Sequence, residues 1–149
     1  MCGIWTLINL SKGKVTDSNF LKDLWNIKKR GPDNTVFITF NNVYLAFHRL
    51  AVMDTSFKSI QPYIYNMKDK TIVFICNGEI YNYSELDEKY NLNIGSSDCK
   101  TIPELYIKLG EEKWAKLFDR EVKGEYAFVL LEFNKLKNLQ KVIVGRDMI

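Results

Sequence analysis

Short apolar runs rich in Ile, Val, Phe and Tyr recur along this chain, and they set the limits on what it can fold into. They fall at 3–9, 35–40, 43–49, 71–76, 126–133 and 141–145. Runs of this length between turn-forming residues read as strands. Asn41-Asn42 predicts a tight hairpin between the second and third runs, and Asn77-Gly78 predicts the end of the fourth. Phe20, Leu21, Leu24, Trp25 and Ile27 have helical spacing, which predicts a helix over 17–29 with Thr16 or Asp17 as N-cap. Arg30-Gly31-Pro32-Asp33 then breaks it. Ser84 with Asp87 predicts a short helix, and Thr101 with Glu104 a longer one to Leu109, with Pro103 tolerated in its first turn. A further helix is expected over 111–118, and 54–66, around Gln61-Pro62, reads as a long loop. Without an internal repeat, this interleaving predicts an α+β fold or layered sandwich rather than a helical bundle.

Composition narrows the partners. A chain of 149 residues, 46% hydrophobic and 26% charged, makes one globular domain and is not disordered. Its net charge is +3, and the one tight basic cluster, Lys28-Lys29-Arg30, falls at a predicted helix end, where lysines favour the dipole and solvent. No nucleic-acid partner is expected. No apolar run approaches the roughly 20 residues that cross a bilayer, so no membrane role is expected. The opening residues lack a basic leader and a cleavage site, so no signal peptide is expected and the cytoplasm is the default location. Three cysteines (Cys2, Cys76, Cys99) without a CxxC predict neither a disulfide framework nor a zinc finger. Together with His48 they lack ligand spacing, so no metal site is expected.

Chemistry begins at Cys2. Removal of Met1 would leave a thiol and an α-amine on one residue. An α-amine titrates near 7.7–8.0, so a useful fraction is a free base at neutral pH. It can take the thiol proton directly or through one water, and the thiolate is the nucleophile. Alone, a terminal cysteine carries little weight. In order along the chain, however, stand Cys2-Gly3-Ile4, Arg30-Gly31-Pro32-Asp33, His48-Arg49-Leu50-Ala51-Val52-Met53-Asp54, Gln61-Pro62, Asn77-Gly78-Glu79-Ile80-Tyr81-Asn82 and Ser97-Asp98. This series resembles the glutamine-hydrolysing domain of the class II, N-terminal-nucleophile amidotransferases, most closely that of the asparagine synthetases. The motifs extend from residue 2 to 147, essentially the whole chain.

The resemblance implies a four-layer αββα sandwich of the N-terminal-nucleophile hydrolases, with its C-terminal strands expected to be missing. It implies glutamine as substrate and Cys2 as nucleophile. Asn77, through its side-chain amide, and Gly78, through its backbone N–H, would form the oxyanion hole. Arg49 would clamp the substrate carboxylate, Glu79 and Asp98 would receive its ammonium, and Leu50 and Val52 would complete the binding surface. Arg30 and Asn82 are expected to brace the Cys2 pocket. His48 is read as positioning scaffold rather than a base, since Cys2 carries its own, and Cys76 and Cys99 are read as structural.

Two departures from the family pattern matter. Lys100 stands where the family has a glutamate after Ser97-Asp98-Cys99, and it would weaken ammonium binding if it turned toward Asp98. Arg146-Asp147 is followed by Met148 rather than proline. The domain would need no cofactor of its own. ATP and magnesium would belong to a synthetase domain, expected in cis in a longer protein and absent from these 149 residues. Two other readings stay open: the same hydrolysis feeding a different acceptor, and a non-catalytic docking domain.

Overall fold

The computed structural model describes residues 1–9, 18–51, 59–95 and 97–148. Val52, Met53 and Asp54 of the expected binding segment lie outside the described residues, as do the N-cap candidates Thr16 and Asp17.

Two antiparallel sheets carry the fold. Strands β1 (Gly3–Ile8), β2 (Asn34–Phe40) and β3 (Val43–Arg49) form one, in the order β1-β3-β2. Strands β4 (Tyr63–Asn66), β5 (Lys70–Ile80), β6 (Gly124–Asn134) and β7 (Leu139–Arg146) form the other in sequence order. Side chains alternate faces along a strand, and that alternation builds the layers. Ile4, Ile8, Ile38, Phe40, Val43 and Leu45 of the first sheet pack on Val73, Ile75, Leu131 and Phe133 of the second. On the opposite face of the second sheet, Ile72, Phe74, Phe128 and Leu130 pack on three helices: α2 (Tyr83–Tyr90), α3 (Thr101–Leu109) and α4 (Glu111–Glu121). Leu86, Ile102, Leu105, Trp114 and Phe118 are the helical side of that core. Helix α1 (Ser18–Asn26) covers the outer face of the first sheet, where Leu24 is buried and the rings of Trp25 and His48 meet at 5.9 Å. Helix, sheet, sheet and helices make the αββα sandwich expected from the motifs.

Burial on both faces explains why residues 71–76 read as one unbroken apolar run: every side chain from Thr71 to Cys76 is buried. The run does not stop at Asn77-Gly78, as the sequence predicts. β5 continues to Ile80, with Asn77 opposite Ala127, Gly78 opposite Tyr126 and Glu79 opposite Glu125. Gly78 serves close approach rather than a turn. A Cβ there would run into Glu125 O and stand 2.5 Å from Tyr126 Cα, so any side chain would push β5 and β6 apart. The turn comes instead at Tyr81-Asn82.

The expected loop over 54–66 contains β4, which pairs with β5 from Tyr63↔Phe74 to Asn66↔Thr71. The first helix ends as an α-helix at Asn26 and gives way to a 3-10 turn, Lys28–Arg30. Helix α4 runs three residues past its expected end, to Glu121. The Asn41-Asn42 hairpin forms as expected, and Asn41 Nδ2 donates to Lys137 O at 2.8 Å, tying the first sheet to the β6–β7 hairpin.

Phe74 is fully buried against Phe128 at 5.6 Å between ring centres. Phe74→Ala is expected to lower unfolding free energy by about 3–5 kcal/mol in denaturant titration. Val144→Ala, at a side chain 71% exposed on β7, is expected to change it by less than about 0.5 kcal/mol. Equal losses would place the core elsewhere.

Candidate active site

Cys2 is held by a chain of contacts that begins in the Arg-Gly-Pro-Asp motif. Gly31 lies so close to β3 that a Cβ would overlap His48 O and stand 2.7 Å from the carbonyl carbon of Arg49. This contact lets Asp33 clasp the chain after β3: Asp33 N donates to Arg49 O at 3.0 Å, and Asp33 Oδ2 accepts from Ala51 N at 2.7 Å. Leu50, thus fixed, brackets the thiol. Its N–H lies 3.4 Å from Cys2 Sγ, and its carbonyl O accepts from Sγ at 3.7 Å. Arg30 Nε donates to Cys2 O at 3.3 Å, so Arg30 braces Cys2 through its backbone. The basic run therefore does more than face solvent, since Lys28 Nζ also sits 5.0 Å over the Trp25 ring.

His48 is buried, with Nε2 2.9 Å from Leu24 O and Nδ1 2.9 Å from Thr35 Oγ1. A carbonyl only accepts, so Nε2 carries a proton, and the neutral tautomer then takes the Thr35 hydroxyl at Nδ1. Both nitrogens join α1 and β2 to β3; neither is directed at Cys2.

Cys2 Sγ opens on a cavity of about 290 Å³. Arg49, Leu50, Asn77, Gly78, Glu79 and Asp98 also line it, so the structure brings together the expected site residues among those described, apart from the two bracing ones. Burial pushes the Cys2 thiol above its ordinary value; the Leu50 N–H, the positive N-terminus and Arg49 oppose the shift. Arg49 is buried and donates through Nη2 to Ser59 Oγ at 2.6 Å, which sets its head on the cavity wall. Asp98 Oδ2 accepts from Ile80 N at 2.8 Å, anchoring that carboxylate to the end of β5. Asn77 Oδ1 is buried and has no hydrogen-bond partner among the described residues. Leaving such an atom unpaired costs about 1–3 kcal/mol.

Asn82 does not join them. Its Nδ2 donates to Glu121 O at 2.8 Å, and its Oδ1 accepts from Lys123 N at 2.9 Å. The expectation that it braces the Cys2 pocket is corrected: it clamps the α4–β6 connection. Lys100 turns away from the cavity. Its Nζ lies 5.2 Å from the centre of the Tyr63 ring, and no ion pair joins it to Asp98 among the described residues.

Sequence reasoning assigned no role to several lining residues. Gln61, buried beside the cis Gln61-Pro62 bond, uses its amide as a substitute peptide: Nε2 donates to Cys76 O at 3.0 Å and Oε1 accepts from Cys76 N at 2.6 Å. Tyr63 Oη pairs with Ser97 Oγ at 2.6 Å and donates to Ser59 O at 3.3 Å. Tyr63 thereby links the Arg49 side of the cavity to the Asp98 side, and burial raises its own pKa. The Gln61-Pro62 pair was a visible signal; Ser59 and Tyr63 had none.

Residues 1–149 match the family described as Glutamine amidotransferase domain, and the chain belongs to that family. Its curated relatives are glutamine-hydrolysing asparagine synthetases. The putative asparagine synthetase 2 of Methanocaldococcus jannaschii is 36% identical over 99% of this chain and 30% of its own length. Asparagine synthetase 2 of Oryza sativa subsp. japonica is 36% identical over 100% of this chain and 24% of its own. Asparagine synthetase 2 of Bacillus subtilis is 34% identical over 99% and 19%. The chain thus spans between a fifth and a third of the length of these relatives. Among solved structures, the glutamine phosphoribosylpyrophosphate amidotransferase from B. subtilis, complexed with ADP and GMP, shares the fold. Its TM-score is 0.52 at 21% identity, covering 70% of this chain and 23% of that one.

Gln61→Ala would leave the buried Cys76 N–H and C=O without partners. It is expected to destabilise the protein by about 1–3 kcal/mol in chemical denaturation, and Gln61→Leu, which fills the space without the amide, is expected to lose as much. A Gln61→Leu protein as stable as the parent would show that the amide pairing carries nothing.

Proposed function

We propose that this chain hydrolyses glutamine to glutamate and ammonia through a thioester on Cys2. The observation that carries the reading is the convergence of the Cys2 thiol, the buried Arg49 guanidinium, the Asp98 and Glu79 carboxylates and the Asn77-Gly78 pair on one cavity. At about 290 Å³ the cavity suits an amino-acid-sized ligand. A guanidinium binds a carboxylate bidentately, so Arg49 holds the α-carboxylate, with Ser59 aiming it. Asp98 and Glu79 receive the α-ammonium. With both charged groups fixed, the γ-amide is carried to Cys2, and this positioning supplies much of the rate.

Loss of Met1 frees the Cys2 α-amine, which takes the thiol proton as sulfur attacks the γ-carbonyl. The Sγ–C bond forms while the carbonyl π pair moves to oxygen. Asn77 Nδ2 and the Gly78 N–H receive that oxyanion, an interaction typically worth 10²–10³ in rate per donor. The C–N bond breaks as the α-ammonium returns its proton to nitrogen, ammonia leaves, and water then attacks the thioester by the same route to release glutamate and Cys2.

The relatives' names support a further step, in which ammonia passes to an ATP-dependent synthetase region in the same polypeptide and amidates aspartate. In this reading ATP and magnesium belong to that region, and the reaction at Cys2 draws on side chains and backbone alone. A cytoplasmic location fits such a biosynthetic role. No helix among the described residues is long and apolar enough to cross a membrane.

Intact mass after exposure to a diazoketone analogue of glutamine tests the assignment. Met1-free protein is expected to gain one adduct, suppressed by excess glutamine and absent from Cys2→Ala. An adduct that persists in Cys2→Ala, or none in Met1-free protein, would overturn it. Arg49→Lys is expected to raise KM for glutamine at least about tenfold, through loss of the bidentate clamp. Asn77→Ala is expected to lower kcat by about 10²–10³. Retained Met1 is expected to leave the thiol slow toward alkylation at pH 8, because burial raises its pKa and keeps it protonated.

A further inference from the structure

All three cysteines of the chain border the same cavity, and the reaction above uses one of them. Cys2 is partly exposed, whereas Cys76 and Cys99 are buried. Cys99 lies in the 3-10 turn Asp98–Lys100, with Sγ 3.5 Å from Gly78 O and 3.9 Å from Asp98 Oδ2. During hydrolysis the substrate carbonyl stands between Cys2 Sγ and Gly78, so the Cys99 sulfur borders the space that the acyl group occupies. The neighbouring Cys76 thiol and burial push the Cys99 thiol well above its ordinary value, so it keeps its proton until it reacts. Cys76 stands behind Cys99 on β5, 1% exposed, with its backbone N–H and C=O both held by Gln61. A nucleophilic thiol open to a cavity, with a second thiol on its wall, is the arrangement in which an oxidised sulfur is trapped before it is damaged.

Resting on the reading of Cys2 as nucleophile, we propose that Cys99 is the resolving thiol for oxidised Cys2, and that the two form a peroxide-responsive modification site. Hydrogen peroxide is small enough to enter the cavity. The Cys2 sulfur attacks one peroxide oxygen, an S–O bond forms, the O–O bond breaks, and the departing hydroxide takes up the thiol proton as water. The Cys99 sulfur then attacks the sulfenic sulfur. An S–S bond forms, the S–O bond breaks, and the hydroxyl leaves with the Cys99 proton as a second water. In sum, two thiols and one peroxide become one disulfide and two waters, a two-electron oxidation of sulfur matched by reduction of the peroxide. Closure brings the two Cα atoms to within about 4.4–6.8 Å and fills the space that the acyl group needs. Hydrolysis stops until a thiol reductant reopens the bond, and Cys2 is spared the irreversible sulfinic acid.

The test uses protein shown by mass to lack Met1 and by assay to hydrolyse glutamine before any oxidant is added. Hydrogen peroxide is then titrated, and activity, intact mass and a non-reducing peptide map are followed together. The expected result is a loss of at least tenfold in activity, a mass lower by about 2 Da, a Cys2–Cys99 linked peptide, and recovery with dithiothreitol. Cys99→Ala and Cys99→Ser are each expected to gain about 32 Da at Cys2 and not to recover. Cys76→Ala is expected to form the link as the parent does. A parent protein that gains about 32 Da at Cys2 with Cys99 still free, or that links Cys76 to Cys99 instead, would overturn the inference and leave the glutaminase reading standing. Failure of Met1-free protein to hydrolyse glutamine before oxidation would remove the glutaminase reading, and this inference with it.

Discussion

The pairing of β5 with β6 is the constraint on which the rest of the molecule depends. It runs without a break from Lys70↔Asn134 to Ile80↔Gly124, and its middle is buried on both faces, so it belongs to both hydrophobic cores at once. Its far end emerges from the cores as Asn77, Gly78 and Glu79 at the cavity, with Ile80 N–H holding Asp98. Because strand and cavity wall are one continuous ladder, Asn77 and Gly78 inherit the rigidity of the core. Gly78 is the point where the ladder would fail, since a Cβ has no room against β6.

Cys2 depends on the other sheet. β1 pairs with β3 so that Gly3 lies opposite His48, and the chain leaving β3 brings Leu50 to the thiol. The Cys2 thiol and the Asn77-Gly78 pair thus come from different sheets, and their separation is set by the packing of Ile4, Val43 and Leu45 on Val73 and Ile75. Core side chains that do not line the cavity therefore set the distance across it. Charge is arranged on the same frame. Burial disfavours the thiolate; of the neighbours that oppose it, the Leu50 N–H is placed by the Asp33 clasp and Arg49 by Ser59.

Much of this was legible in the sequence, and the misses have physical reasons. Strands 71–76 and 126–133 could be read because burial on two faces leaves long apolar runs, and β7 because its side chains alternate half-buried with exposed. Asn77-Gly78 misled because the pair usually bends a chain, whereas here the glycine's missing side chain serves the neighbouring strand. β4 escaped because it is four residues long, follows Pro62, and gains its order from β5 rather than from its own pattern. The cavity residues of the Asn-Gly-Glu-Ile-Tyr-Asn motif were found together, but contiguity in sequence carried Asn82 along with them. The turn at Tyr81-Asn82 sends that side chain to Glu121 and Lys123 instead.

Gln61 and Lys100 show why composition at a site is weaker evidence than direction. A polar amide beside a substrate cavity invites a binding role, yet Gln61 turns inward and completes the hydrogen bonding of Cys76 as another strand would. A lysine beside two carboxylates invites a competing ion pair, yet Lys100 leans on the Tyr63 ring. A cation over an aromatic face contributes about 0.5–1 kcal/mol at an exposed site. That contact stiffens Tyr63, whose hydroxyl holds Ser97 in place just before Asp98. The positive charge at position 100 is therefore held against the aromatic ring rather than paired with Asp98 among the described residues.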